Sequence, residues 1–379
     1  MPGNGIIACC WDLELRCATC LNPRVPSAFV KSARPINAYI CEMNLTIMRA
    51  CLRFWFLLVC CQFVANAVAG LPAGCFQNPI GNGADPWMVY FDGNYYLSTT
   101  QGDAIRMWKA PTLAALKEAA VMTVWKDKNP ERSSLIWAPE FHWLEGHWWM
   151  YYTATSSDRV DARHRTYVLE STGRDPLGPY EYMAHIYSPT NDHYAIDPTV
   201  FQNQADGALY FLWAADPGHV LYIARMANPY ELEGNGVYLP ADGFGCANVR
   251  EGPEILQRDG RIFLIYSTCD TGTPDYKLGM LIADEKANLL NPGSWKQYPE
   301  PVFERNDANG VFGPGHCGFF QSPDGTEDWI VYHAKVTAKY TYSGRTPRAQ
   351  KFGWNSDGTP NFGVPLPLSA VIKEPSGTP

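Results

Sequence analysis

From about residue 85 onward, short aromatic-rich runs alternate with breaks that contain Gly, Pro or Asp. One pattern recurs five times: an acidic residue, a glycine, one to three more residues, then an apolar run of strand length. It opens at Asp92-Gly93, Glu145-Gly146, Asp206-Gly207, Asp259-Gly260 and Asp324-Gly325, with the glycines 53, 61, 53 and 65 residues apart. An acidic residue followed by Gly between apolar runs signals a tight hairpin, whose turn needs positive φ. A strand precedes each turn, at 87–91, 141–144, 199–203, 254–258 and 318–322, and a third strand follows. Only residues 112–120 read as helix. Repeated units of three or four antiparallel strands at this spacing predict an all-β five-bladed β-propeller. A β-sandwich or jelly roll does not account for five repeats.

The first 69 residues follow another pattern. Arg49 and Arg53 precede an apolar run that ends at Ala67-Val68-Ala69, the order of a secretory signal peptide over 48–69. The run is short for a membrane span and contains Gln62 and Asn66. Residues 1–47 then form an upstream extension with no fold assigned. Their Cys17-x-x-Cys20 lacks further ligands for zinc, since all eight histidines lie beyond residue 140. The propeller domain is expected over 70–379, secreted, extracellular and monomeric. Four of the twelve cysteines, Cys75, Cys246, Cys269 and Cys317, fall in it. Two disulfides by three connectivities are open to them.

Composition narrows the class. Aromatic residues make up 13% of the 379 residues, and 32 Gly and 30 Pro are dispersed among them. The net charge of −8 falls to −11 over residues 70–379, which carry 24 Lys/Arg against 35 Asp/Glu. No nucleic-acid footprint is present, and neither nucleic acid nor membrane is an expected partner. The surface suits a neutral substrate.

In a propeller the first strands of all blades line one channel. Eight to ten residues before the glycines stand Ala84-Asp85-Pro86, Trp137-Ala138-Pro139-Glu140, Ile196-Asp197-Pro198, Arg250-Glu251-Gly252-Pro253 and Gly315-His316-Cys317. This register converges Asp85, Asp197, Glu251 and His316 on one mouth beside Trp137. Each Asp-Pro alone is an ordinary loop dipeptide; three acids in register are the chemistry of acetal hydrolysis, one carboxyl protonated and one ionised. Trp87, Trp137 and Phe141 are candidates to stack on sugar rings. Arg345 and Arg348 are candidates to contact sugar hydroxyls or hold a carboxylate. Glu140 and Glu254 are offset along their strands, near the site. Arg174-Asp175-Pro176 and Ser322-Pro323-Asp324-Gly325 read as turns.

The four motifs around Asp85, Trp137-Ala138-Pro139-Glu140, Asp197 and Glu251 resemble glycoside hydrolase family 43 over roughly residues 75–370. Arg345-Thr346-Pro347-Arg348-Ala349-Gln350-Lys351-Phe352-Gly353-Trp354 resembles the family's secreted α-L-arabinofuranosidases. The resemblance implies an inverting mechanism, with Asp85 as general base, Asp197 as pKa modulator and Glu251 as general acid. The expected substrate is the terminal α-L-arabinofuranosyl residue of arabinan- or arabinoxylan-type plant polysaccharides. A β-xylosidase, an endo-arabinanase or a non-catalytic carbohydrate-binding propeller are the alternatives. No cofactor is required, though the family often places a histidine near a channel calcium, here His316. Asp197 is expected to raise the pKa of Glu251. An inverting pair should stand roughly 6.5–9.5 Å apart.

Overall fold

The computed structural model describes residues 70–379. The upstream extension and the secretory signal lie outside the described residues. Five antiparallel sheets, four of four strands and one of five, succeed one another along the chain as blades. Their innermost strands are Ala84–Phe91, Ser134–Leu144, Ala195–Gln202, Arg250–Arg258 and Phe312–Gln321.

The ring follows from strand alternation. Successive side chains of a strand face opposite sides, so the middle strands of each blade serve two neighbours. Tyr95 and Leu97 of blade one pack with Trp329 and Val331 of blade five, while Tyr96 packs with Phe141 and Met150 of blade two. The same division joins blades two and three, three and four, and four and five. Five apolar interfaces between five blades close the circle. Cys75–Phe76 pairs with Ile372–Lys373, and the Asn78 side chain bonds both the N–H and the carbonyl of Ala349, fastening the start of the domain to its last blade.

The turns follow their residues. Asp92-Gly93, Glu145-Gly146 and Asp259-Gly260 all take positive φ at both positions, as a two-residue hairpin requires. The other two connections are longer: Asn203 caps a loop through Gly207, and Ser322 and Asp324 organise another with their side chains. The helix is one turn, Leu113–Leu116, shorter than expected because only its two leucines dock on the blade. Thr112 caps it, and Glu374 accepts hydrogen bonds from the Leu113 and Ala114 N–H groups.

One disulfide forms, Cys246–Cys269. Cys317 is instead buried in the apolar layer between blades four and five, and Cys75 sits in the closing ribbon, so the second bridge is not made. No helix among the described residues is long and apolar enough to cross a membrane.

Each innermost strand begins earlier than the apolar pattern suggests, because it continues through a β-bulge. The register breaks at 84/87, 137/140, 196/199, 251/254 and 315/317. Inside every break one residue is left-handed: Asp85 (φ 53°), Ala138 (42°), Asp197 (53°), Gly252 (51°) and His316 (44°). Bulges re-aim side chains beside active sites. Here they do so with fivefold regularity.

Candidate active site

The bulges correct the register of the acids. Asp85, Asp197 and His316 share the left-handed position with Ala138 and Gly252, and Glu251 stands one residue earlier, where blade two carries Trp137. Asp85, Asp197, Glu251, His316 and Trp137 nevertheless line one cavity of about 520 Å³. Gly252 makes the offset workable: a Cβ there would lie 3.1 Å from His316 Nδ1 and 3.2 Å from its Cγ. The His316 ring occupies the space a side chain would take.

Asp85 is buried and surrounded by donors. Thr100 Oγ1 donates to its Oδ2 at 2.7 Å and Arg345 to its Oδ1 at 3.1 Å, while the Asp85 backbone N–H donates to His333 Nδ1 at 3.2 Å, a nitrogen that also lies 3.1 Å from Oδ1. Burial favours the neutral acid, but Arg345, His316 and His333 outweigh it and hold the carboxyl well below its ordinary range. His333 is itself fully buried, stacked flat on Tyr276 at 5.4 Å, and burial pushes its pKa down to about 4. Arg345 thus holds a carboxylate, one of the two roles expected for it.

Asp197 accepts the Gly252 N–H at 3.0 Å, and the nearest cationic group is His316 Nδ1 at 3.7 Å. Burial, with the charges of Glu251 and Asp85, pushes it up to about 7 against the opposing pull of His316. Glu251 behaves otherwise than expected. Burial alone would raise it, but the His219 contact at 2.9 Å, the Tyr276 hydroxyl at 2.8 Å and the charge on His316 bring it below the ordinary value. The raised carboxyl is Asp197. On His219, burial works against the charged form, and Glu251 and Asp197 outweigh it to raise its pKa.

His316 faces Asp85 at 3.5 Å and Asp197 at 3.7 Å; burial opposes its charge, but the carboxylates prevail and its pKa is raised. Among the described residues no group of three or more His, Cys, Asp or Glu side chains is arranged to hold a metal ion.

Trp137 stacks on His164 at 3.9 Å, and His164 is fixed between the carbonyls of Leu135 and Asp161. The indole is a rigid wall of the cavity. Three other expected contacts are not made. Trp87 packs between blades one and two, its Nε1 donating to the Phe141 carbonyl, and Phe141 is fully buried in that layer. Arg348 is fully buried on the strand face it shares with Phe352, toward blade four, and its guanidinium nitrogens have no partner among the described residues. Glu140 and Glu254 are buried outside the cavity lining; burial and the Glu140 charge and hydrogen bond raise Glu254 well above its ordinary value.

Thr100, His219, Tyr276 and His333 escaped the sequence reading. His219 had the best signal, since Asp216-Pro217-Gly218-His219 is a turn in blade three at the mouth end, and His219 is left-handed there (φ 51°). The other three sit on or beside second and third strands with no local mark. Tyr342 and Asp270 complete the rim, joined by a 3.0 Å hydrogen bond.

Comparison with known proteins agrees with this geometry. Residues 76–360 match the family model for glycosyl hydrolases family 43. The extracellular exo-α-(1→5)-L-arabinofuranosidase of Streptomyces avermitilis is 36% identical over 78% of this chain and 64% of its own length. The α-L-arabinofuranosidase 43 of Humicola insolens is 35% identical over 81% of this chain and 66% of its own length. The chain therefore spans just under two thirds of these relatives. The crystal structure of an α-L-arabinofuranosidase from Lactobacillus brevis superposes with a TM-score of 0.72 at 36% identity, covering 78% of this chain and 98% of that one. With its five blades, its channel acids and these matches, the chain belongs to glycosyl hydrolases family 43.

Proposed function

We propose that this chain is a secreted α-L-arabinofuranosidase that removes terminal arabinofuranosyl residues from arabinan or arabinoxylan with inversion. The observation that carries the reading is one cavity lined by two carboxyls from separate blades, each with its own cationic partner. Asp85 is held ionised by Arg345, while Glu251 contacts the protonatable His219 at 2.9 Å. They belong to blades one and four, which are not neighbours in the ring. The names of the similar enzymes support the arabinofuranosyl substrate. Those names and residues 48–69 support secretion.

In this mechanism Asp85 takes a proton from a water that attacks the anomeric carbon. The bond to the leaving oxygen breaks as Glu251 protonates it. Before substrate enters, His219 favours the ionised form of Glu251 and Glu251 the charged form of His219. Substrate displaces water, and low polarity favours the neutral pair over the ionic one, so the proton passes from His219 Nε2 to Glu251. Asp197 lies beside both acids, and their charges with burial favour its protonated form. Arg345 fixes Asp85, and Trp137 offers the sugar a flat apolar wall.

Aryl α-L-arabinofuranoside, aryl β-D-xyloside and dyed linear arabinan test the reading together. Hydrolysis of the first, with little of the others, is the expected result. A preference for the xyloside, or cuts within the dyed polymer, would overturn it.

A further inference from the structure

A second cavity, of about 170 Å³, lies beside the catalytic one, and Tyr194 lines both. Trp213 of blade three lines it, buried and stacked on Tyr222 at 5.6 Å and 20°.

The walls are built rather than incidental. Asn235 Oδ1 accepts from both the N–H and the hydroxyl of Thr190, at 3.0 and 2.9 Å, and the Gly236 N–H donates to Ser188 Oγ at 3.0 Å. These bonds tie two loops together across the opening. Gly236 has to be glycine: a Cβ there would fall 2.2 Å from the Trp213 ring.

The polar groups that line this cavity are under-used. Asn191 Oδ1 is buried with no hydrogen-bond partner among the described residues. Tyr187, Tyr194 and Tyr222 line it too; their hydroxyls bond no described residue, and Tyr187 is half exposed. A buried acceptor left unpaired is costly, and a ligand hydroxyl is the donor it lacks. The carboxylate of Asp192 is engaged by Arg165 at 2.5 Å. Aromatic side chains beside hydrogen-bonding groups, with Arg165, Asp192 and Asp216 at the same cavity, suit a sugar, whose C–H face packs on a ring while its hydroxyls find partners.

We propose that this cavity is a second carbohydrate subsite, holding one pentose ring of the polymer whose terminal residue enters the catalytic cavity. It rests on the reading of that cavity as a polysaccharide-trimming site. The chain between the two rings passes over Tyr194. The subsite raises affinity for polymer and leaves small substrates unaffected, because they never reach it.

Asn191→Ala, Tyr187→Ala and the double variant test this, with kcat/KM measured on an aryl α-L-arabinofuranoside, debranched arabinan and arabinoxylan. The expected result is aryl hydrolysis within twofold of the parent and polymer kcat/KM lowered about tenfold, mainly through KM. The more affected polymer identifies the ring that is held. Unchanged polymer kinetics, or a parallel loss on the aryl substrate, would overturn the proposal. Should the parent hydrolyse no arabinofuranoside, the functional reading fails separately. Affinity electrophoresis of the Glu251→Gln chain in both polymers then reads the cavity alone. Retardation lost on adding Asn191→Ala/Tyr187→Ala supports the subsite, and unchanged retardation refutes it.

Discussion

The carboxylate of Asp197 accepts a hydrogen bond from the backbone N–H of Gly252, 3.0 Å away, so the acid with the raised pKa is tied to the residue that follows Glu251. The two acids are therefore held side by side. An aspartate at about 7 when folded keeps a proton that the unfolded chain, near 4, has released. On its account stability is greatest below about pH 4 and falls as pH rises toward 7.

Asp197→Asn removes that dependence. Thermal melts of parent and variant between pH 5 and pH 8 should show the parent losing more stability as pH rises, while the variant loses activity by about a hundredfold or more. A constant offset between the two melting curves across the range would contradict the assignment.

Arg345 lowers the pKa of Asp85 from 3.1 Å away. Arg345→Met should let burial raise that carboxyl, and the base works only when ionised. The acidic limb of the kcat/KM profile should move to higher pH by about one pH unit. An unmoved limb with reduced kcat would give Arg345 to the sugar instead.

His219 lowers Glu251 and is itself raised. In the account above, activity on the basic side is lost when the pair gives up its proton. His219→Gln leaves Glu251 to hold that proton alone, with Tyr276 and His316 still favouring the anion. The basic limb should then move to lower pH, and natural linkages should suffer more than aryl substrates, whose leaving groups need little protonation. Equal losses on both, with an unchanged profile, would reduce His219 to packing.

How these relationships arise explains what the sequence could reveal. Five acidic-Gly turns at near-regular spacing carried the fold, because a hairpin turn is a local requirement on φ that glycine announces. The acids were legible through the same repeat. The one-residue offset between Glu251 and Asp197 was not, since it depends on which residue of each motif takes the left-handed bulge. Nor were the groups that set the pKa values: Tyr276 and His333 arrive from other strands, and no local pattern distinguishes them from the many aromatic and polar residues that fill the blades. Trp87 and Phe141 show the reverse error. Proximity in sequence to the acids suggested sugar platforms, but strand alternation turns both into the layer between blades one and two.

The bulge itself is open to test at Gly252. Its φ of 51° and the His316 ring 3.1 Å from a built Cβ both oppose a side chain. Gly252→Ala should cost about 1–3 kcal/mol in denaturant unfolding and displace His316 from the carboxylates, lowering kcat. A variant as stable and active as the parent would show that the close approach is dispensable.

The central claim is that Asp85 activates water while Glu251 protonates the leaving oxygen, in a single displacement. Proton NMR of the first sugar released from an aryl α-L-arabinofuranoside, recorded before mutarotation, tests it most directly. The account predicts that β-L-arabinofuranose appears first. Initial release of the α-anomer would contradict it.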